Sequence, residues 1–362
     1  MSTFKAKMKL LGGVLSFLRR SKRVSPAVFD ITSAKNIVII NNKRLGDFLF
    51  CTPAIRAIHE ANPSANITVV TSHQNSDLIG ESPFINKVLL MGNSVKNAVN
   101  TGRTLRLLQP ELGIIFHSKS PYDLIALTLA GTQCVMKHYF GNEKKVLLNV
   151  CDGYVFGGEK APVQNDLALV AQLNVVSENK DMFYPAMIAP KNSESMSVGI
   201  QLGASGVDRY FPVEKAIQVI MKIHQALPEC EFHLLGAGQE VSLGKMLTDG
   251  LSNECSSKVV NHIGKTTLHQ LADIINDLSI LITPDTGCLH IATALKTKTV
   301  SLFVKRETNA SVPQQDSHLH TILYASDYID ESSMQSKSNK LAAIPAADIE
   351  NAVMHACFTK WV

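Results

Sequence analysis

A block of polar residues with the chemistry of a ligand site follows an apolar strand in the second half of the chain, Asp285–His290 within ITPDTGCLHIATAL. Successive backbone N–H groups at the start of a helix bind anions, and the helix dipole adds to the attraction. Gly287 allows a phosphate to approach the main chain closely, and Asp285 and His290 offer hydrogen bonds to a sugar or a phosphate. Alternatively, Asp285 and Thr286 only cap the helix, and His290 belongs to the core. Because the whole block stands at a strand end, we interpret it as a ligand site.

Two further turns in the same half of the chain could face an anionic nucleotide. The first follows the strand Ser197–Gly203 and carries Arg209, whose guanidinium could pair with a diphosphate through two parallel hydrogen bonds. The second is LLGAGQE, Leu234–Glu240, where glycines permit close backbone approach and Glu240 could accept hydrogen bonds from ribose hydroxyls. The alternatives are a solvated loop arginine and an ordinary strand-to-helix turn.

In the first half of the chain, a carboxylate occupies a turn where a nucleotide site would present bare backbone. The segment NNKRLGDFLFCTPAIRAI follows the apolar run NIVII but contains neither G-x-G-x-x-G nor G-K-[ST]. Gly46 stands alone beside Asp47. Thr52-Pro53 is predicted to begin the next helix, because proline is favoured at the first helical position. We therefore expect Asp47 to be available for chemistry and not to cap the helix.

Strand and helix patterns alternate along the chain from Asn36 onward. Continuous apolar strands separated by helices predict mostly parallel sheets covered on both faces. Residues 184–195 carry two prolines followed by polar residues, which indicates a linker. The sequence therefore predicts an α/β protein with two doubly wound domains that face a cleft, residues 35–190 and 191–340, followed by a C-terminal helix in residues 341–362. Ligands of such domains bind at the carboxyl ends of the strands.

Residues 1–34 are predicted to form a basic, amphipathic N-terminal arm. Residues 1–23 contain seven lysines and arginines and no acid, and these basic residues flank the apolar run LLGGVLSFL. This pattern is typical of reversible binding to an anionic membrane surface, and the alternative is a solvated tail. Because Gly12 and Gly13 weaken a continuous helix, we expect the arm to fold on contact with the membrane.

The composition limits the remaining function classes. The length of 362 residues predicts two domains, and a hydrophobic content of 45% excludes low-complexity disorder. The seven cysteines form no C-x-x-C and no Cys/His cluster, which predicts reduced thiols, a cytoplasmic setting and no structural zinc. No apolar run reaches the length of a membrane span.

The segments RLGDFLFCTPA, Arg44–Ala54, and DTGCLH, Asp285–His290, resemble the two hallmarks of the heptosyltransferase-like enzymes of glycosyltransferase family 9. The resemblance runs from about Asn36 to about Phe303. It implies the GT-B fold of two Rossmann-like domains, with the acceptor in the N-terminal domain and the nucleotide-sugar donor in the C-terminal one. It also implies an inverting transfer without a metal or other cofactor, most often of heptose from ADP-heptose onto a lipopolysaccharide or lipooligosaccharide core. The absence of any D-x-D is consistent with metal-free chemistry.

Matched residue by residue, the resemblance makes Asp47 the catalytic base, with Arg44 and Gly46 on the acceptor side. Arg209 takes the place of a family lysine at the donor phosphates, and Glu240 matches a residue that contacts the nucleoside. The backbone of the DTGCLH block would hold the diphosphate, and its aspartate would face the sugar; Cys-Leu replaces the commoner Pro-Met there and leaves this site intact. The predicted donor-binding residues are Arg209, Glu240, Asp285, Thr286, Gly287, Cys288, Leu289 and His290.

Three alternatives stay open at the level of the sequence. A transferase of this type could use another nucleotide sugar or acceptor, since one sequence does not decode the acceptor loops. A nucleotide-dependent dehydrogenase is disfavoured by the missing G-x-G-x-x-G, and a non-catalytic sugar-nucleotide binder is disfavoured by Asp47. We expect the protein to meet a lipid-linked saccharide at the cytoplasmic surface of a bacterial inner membrane, held there through residues 1–23, and to have no nucleic-acid partner.

Overall fold

A computed structural model describes residues 3–20, 23–118, 121–140, 145–158, 160–191, 195–306, 311–330 and 338–358. The chain divides into two compact units, Met1–Met187 and Ile188–Val362. The boundary falls within the segment predicted as a linker, residues 184–195. The assignment of acceptor and donor roles to the two halves stays a prediction.

The first unit is built on a parallel sheet of six strands in the order β3-β2-β1-β4-β5-β6. Strands β1, β2, β4 and β5 are continuous runs of β-branched and other apolar residues, and they are buried along nearly their whole length because helices cover both faces. The strands are β1 Asn36–Asn41, β2 Asn66–Thr71, β3 Lys87–Leu90, β4 Leu112–His117, β5 Cys134–Tyr139 and β6 Gly153–Phe156.

Seven α-helices of the first unit lie within the described residues. Local chemistry fixes several of their ends: Ser94 accepts a hydrogen bond from Asn97 N at the start of α4, and Gly131 ends α5 in the left-handed region at φ 78°. The helices are α1 Thr3–Arg19, α2 Leu45–Phe50, α3 Thr52–Ala61, α4 Val95–Arg106, α5 Tyr122–Ala130, α6 Lys145–Leu148 and α7 Pro162–Ala171.

The turn after β1 differs from the prediction. A separate short helix, α2, precedes α3, and the Thr52 side chain does not cap α3. Its hydroxyl instead donates to the Leu49 carbonyl at 2.8 Å and accepts from Phe183 N at 3.1 Å. Thr52 therefore begins α3 as predicted, but it provides no side-chain cap, because the preceding residues are already helical and leave no extended N-cap position.

The N-terminal segment also differs from the expected arm that folds on contact. Helix α1 is continuous through Gly12 and Gly13 and packs on the first unit, with Leu15 in the core. The Arg19 guanidinium is almost fully buried, lies 2.5 Å from Asp152 Oδ2 and donates to the Val150 carbonyl. This docking offsets the glycine penalty, so α1 is formed before any membrane contact. Lys22 lies outside the described residues.

The second unit repeats the architecture of the first. Its six parallel strands follow the order β12-β11-β10-β7-β8-β9, which is the order of the first sheet when each unit is counted from its own first strand. The strands are β7 Ser197–Gln201, β8 Glu231–Leu235, β9 Val259–Asn261, β10 Ile280–Pro284, β11 Thr299–Phe303 and β12 His320–Tyr324. The predicted fold class, two Rossmann-like α/β domains, is confirmed.

The helices of the second unit bury regularly spaced apolar positions against this sheet. Helix α8, for example, places Val219, Ile220 and Ile223 in the core. The helices are α8 Val213–Ala226, α9 Val241–Asp249, α10 Asn253–Ser257, α11 Leu268–Asp277, α12 Gly287–Ala294 and a C-terminal helix Ala346–Phe358. The last lies inside the predicted range 341–362, and residues 359–362 are outside the described part.

Two observations bear on the predicted setting of the protein. No described helix is both long enough and apolar enough to cross a bilayer. All seven cysteines lie in the described residues as free thiols, and six of them are buried.

Candidate active site

The predicted donor residues lie at one edge of the second sheet. Strands β7 and β10 are parallel neighbours, with Ile200 opposite Ile282, and the strand order reverses between them. In doubly wound sheets this reversal opens a crevice at the carboxyl ends where ligands bind. Arg209 follows β7, Glu240 follows β8, and the Asp285–His290 block follows β10, so the fold brings all three to this edge.

The start of α12 carries no side-chain cap within the described residues. Thr286 is the N-cap residue, with extended backbone, but its hydroxyl bonds to the Thr283 hydroxyl at 3.1 Å. Asp285 Oδ1 accepts from the Ser311 hydroxyl at 3.1 Å and lies 3.8 Å from His290 Nε2. The Gly287 and Cys288 amides at the start of α12 therefore keep their capacity to bind an anion, as the ligand interpretation requires, whereas Leu289 N donates to the Thr286 carbonyl at 3.1 Å.

The last three residues of the block, Cys288–His290, are buried. Leu289 is fully buried and His290 nearly so. The Cys288 thiol donates to Gln201 Oε1 at 3.4 Å, and burial, followed by the charge of Glu240, raises the pKa of this thiol to about 12. Cys288 is therefore neutral. The side chains of Cys288 and Leu289 pack in the interior, while their backbone belongs to the first turn of α12.

Glu240 fills the space between the ends of β7 and β8. Its side chain is buried, and its Oε2 accepts from Ala237 N at 2.6 Å. A Cβ atom at Gly203 would overlap the Glu240 carboxylate, and one at Gly236 would lie 2.5 Å from Oε2. The glycines of these turns thus make room for the carboxylate, which holds the turn together. Its predicted contact with the nucleoside stays a prediction.

Arg209 is half-buried in the loop after β7. It lies in a single turn of 3-10 helix, Val207–Arg209, and its guanidinium donates to the Ser205 hydroxyl. Among the contacts of the described residues, none joins Arg209 to Asp285. Arg209 thus lies at the carboxyl edge of the second sheet, and its contact with a diphosphate stays a prediction.

The predicted acceptor residues lie on the first unit, where Arg44 is the N-cap of α2, and Gly46 and Asp47 lie in its first turn. Asp47 is partly exposed. The Asn41 side-chain amide donates to the Asp47 carbonyl at 2.8 Å, and that of Asn75 donates to the Lys43 carbonyl at 2.8 Å.

Our sequence reasoning missed these two buried asparagines, which fix the loop before Asp47. For Asn41, the available signal was the pair of amides, Asn41-Asn42, at the end of an otherwise apolar strand. Ser311 and Gln201, which hold Asp285 and Cys288, were not predicted either, because both pairs are distant in sequence.

A family model described as Glycosyltransferase family 9 (heptosyltransferase) matches residues 154–341, more than half of the chain. The chain belongs to glycosyltransferase family 9. A curated relative in this family is lipooligosaccharide heptosyltransferase 2 of Campylobacter jejuni subsp. jejuni serotype O:6. It is 24% identical over 274 residues, which cover 75% of this chain and 82% of the relative. Membership makes the protein a heptosyltransferase-like glycosyltransferase and excludes the dehydrogenase alternative.

Solved structures share the fold of this family 9 chain. The family 9 glycosyltransferase from Veillonella parvula DSM 2008 superposes with a TM-score of 0.77 at 15% identity, covering 91% of this chain and 99% of that one. ADP-heptose LPS heptosyltransferase II of E. coli gives 0.69 at 17% identity, covering 88% and 98%. These likenesses confirm the predicted GT-B fold.

Proposed function

We propose that this family 9 enzyme transfers heptose from ADP-heptose to the saccharide core of a lipopolysaccharide or lipooligosaccharide. The uncapped start of α12 at the β7/β10 reversal carries the proposal, because it supplies a diphosphate site in the second unit. The relatives named above, a lipooligosaccharide heptosyltransferase and an ADP-heptose enzyme, support the choice of sugar and acceptor.

The donor diphosphate binds across this edge of the second sheet. The backbone at Thr286–Leu289 contacts the phosphates, Asp285 accepts from the sugar, and Arg209 moves from Ser205 to pair with the diphosphate. Arg209→Ala should therefore weaken ADP-heptose binding and leave acceptor binding nearly unchanged. Two separate titrations measure this difference.

The chemical step is a single displacement with inversion. The acceptor hydroxyl forms a bond to C1 of the heptose, the bond from C1 to the diphosphate oxygen breaks, and ADP leaves with the electron pair. Asp47 takes the hydroxyl proton, the role of a general base. The amides of α12 and Arg209 stabilise the charge that develops on the leaving diphosphate. This step proceeds without a metal.

The acceptor lipid places the reaction at the cytoplasmic surface of the inner membrane, where helix α1 is suited to hold the enzyme. Leu10, Val14, Phe17 and Leu18 form an exposed apolar stripe on α1, and exposed basic residues, among them Lys7, Lys9 and Arg20, accompany it. An amphipathic helix with this composition binds anionic bilayers reversibly.

Purified full-length protein, ADP-heptose and a core acceptor truncated before its heptose provide the test. Mass spectrometry should show acceptor extended by one heptose, at the same rate with and without EDTA. An unchanged acceptor alongside extension from another nucleotide sugar would contradict the donor assignment, and loss of activity in EDTA would contradict the metal-free step.

A further inference from the structure

Three ionisable side chains with no role in the proposed reaction are buried together at the carboxyl edge of the first sheet. Asp166 on α7 is fully buried, and its Oδ1 lies 2.9 Å from His138 Nε2 on β5. The Nε2 atom of His117, at the end of β4, lies 3.6 Å from the same oxygen. We name these three residues the His–Asp–His cluster.

The two histidines of the cluster keep the buried Asp166 ionised. An ionised carboxylate without access to water is costly unless a positive charge compensates it. Burial alone raises the pKa of Asp166, but the charges and hydrogen bonds of His117 and His138 outweigh burial and hold this pKa below its ordinary value. Asp166 is therefore a carboxylate held between two imidazoles, with His138 the nearer at 2.9 Å and His117 the farther at 3.6 Å. His117 is the outer imidazole of the cluster.

His117 occupies the place where a doubly wound sheet binds ligands. Its carbonyl accepts from Asn42 N at 2.7 Å, and the strand order reverses between β4 and β1. Its ring stacks on Phe140, with 5.8 Å between centroids, and Lys43 Nζ lies 5.1 Å from the centroid of the same Phe140 ring. An imidazole and an ammonium thus flank one aromatic ring beside the loop that carries Asp47.

We propose that His117 and Lys43 bind an anionic group of the acceptor saccharide, and that Asp166 and His138 are positioning residues that orient the His117 ring through the buried Asp166 carboxylate. The ligand chemistry is a phosphate or a carboxylate on the sugar. The inference rests on the proposed function in one respect, the placement of the acceptor on the first unit.

Other titratable groups lie near the His–Asp–His cluster. The titratable neighbours on the loop and on α2 are Lys43, Arg44 and Asp47, and Cys51 lies between α2 and α3. Burial, and then the charge of Asp166, hold the pKa of the Cys51 thiol well above its usual range, so this thiol stays neutral. Because histidine is the side chain that exchanges protons near neutral pH, proton uptake on anion binding is the measurement that separates an imidazole contact from one to Lys43.

Calorimetric titration of an acidic acceptor fragment, without donor, tests the inference. Titrations at several pH values in two buffers of different ionisation enthalpy report both the affinity and the proton uptake. Wild-type protein should take up a proton on binding and lose affinity as the pH rises. His117→Gln should weaken binding at pH 6 roughly 10- to 100-fold, the size of one charge-assisted hydrogen bond, and should abolish the uptake. His73→Gln, an exposed histidine in the turn after β2, should behave as wild type.

Further arms separate the sources of the anion and the causes of failure. A dephosphorylated fragment and a carboxyl-reduced fragment show which anionic group binds to His117. Only the fragment that lacks this group should bind with an affinity that no longer depends on pH. Asp166→Asn should shift the proton uptake to lower pH; if this variant does not fold, His117→Gln alone decides. Unchanged uptake in His117→Gln, equal weakening for neutral fragments, or no binding by wild type would overturn the inference. Heptose transfer by wild type is measured separately, so failure of the proposed function remains distinguishable.

Discussion

Asp47→Asn removes the proposed base while keeping the shape of the side chain, and the Asn41 contact is made to the backbone of residue 47. Turnover should fall about 10²–10⁴-fold, the usual contribution of a general base, while ADP affinity and the unfolding temperature stay near wild type. Steady-state kinetics and ADP titration measure both. Glu60→Gln, an exposed carboxylate on α3, is the matched control. Wild-type turnover in Asp47→Asn would show that another group accepts the proton.

Gly203→Ala tests the space that the β7 turn keeps for Glu240. The added methyl would overlap the buried carboxylate, so the side chain or the turn must move. Overpacking of this kind costs roughly 1–3 kcal/mol, and urea unfolding of the variant should show that loss. Gly238→Ala, in the neighbouring turn, meets nothing within 4 Å and should be close to neutral. Equal stability of the two variants would mean that the Glu240 carboxylate relaxes without cost.

The residues of the site were predictable to different degrees. Gly287 and Asp285 are readable because they stand in one short block at a strand end. The partners that hold them, such as Ser311, lie on other elements and become neighbours only when the sheet forms. The burial of Glu240 was also not predictable. In the sequence it looks like a surface acid, but the glycines of its own turn and of the neighbouring turn enclose its side chain.

At the scale of elements, α1 offers a sharper membrane test than truncation, because removing residues 1–30 would also remove Leu15 and Arg19 from the first unit. Leu10→Ser combined with Phe17→Ser keeps these anchors and deletes the apolar stripe, whose two side chains are each 72% exposed. Binding to anionic liposomes should fall at least about tenfold, since burying such a side chain contributes roughly 1.5–3 kcal/mol. Liposome sedimentation across a salt series measures the change.

The control for this pair makes two similar apolar-to-serine substitutions elsewhere on the first unit. Leu107→Ser with Val176→Ser removes two exposed apolar side chains away from α1 and should leave sedimentation unchanged. Activity on a short, soluble acceptor should be equal in all variants. If both pairs reduce liposome binding alike, general surface hydrophobicity is responsible and α1 has no special role.

His320, at the start of β12, predicts an acid-sensitive element in the second unit. Burial lowers the pKa of its imidazole from the ordinary 6.5 to about 4, and the ring bonds to Thr299 Oγ1 at 3.0 Å. The unfolded chain therefore binds the proton first. The contribution of His320 is complete above about pH 6.5 and is lost as the pH falls towards 4, by on the order of 3 kcal/mol. His320→Asn should flatten this part of the stability–pH curve in urea unfolding, and an unaltered slope would contradict the assignment.

Long apolar strands and amphipathic helices were predictable, whereas short elements were not. Strand β6, Gly153–Phe156, is a four-residue edge strand of mixed burial, so it lacks a continuous apolar run. Helix α2 is only six residues long and merges in sequence with α3. In α1, tertiary packing of Leu15 and Arg19 overrides the weak local propensity of two adjacent glycines, a contribution that no local pattern contains.

At the scale of the whole molecule, ADP should stabilise and protect one unit only. At a concentration of about a hundred times its dissociation constant, ADP should raise the free energy of unfolding by roughly 2.7 kcal/mol. UDP, GDP and NAD at the same concentration should raise it less. Hydrogen exchange should slow at residues 286–289 and remain unchanged at the turn after β1. Protection centred on Asp47 would contradict the assignment of the donor to the second unit.

The buried pair of Arg19 and Asp152 also has a consequence for how the chain is made. Its two partners are 133 residues apart, so at about 5–20 residues per second the ribosome needs roughly 7–27 s to supply the second after the first. During that interval α1 lacks this anchor, and until α5 and α6 have been made the side of the helix that later packs inward is exposed along with its apolar stripe. We expect a nascent chain to offer both faces of α1 to a chaperone or a bilayer, and the completed first unit to offer only one.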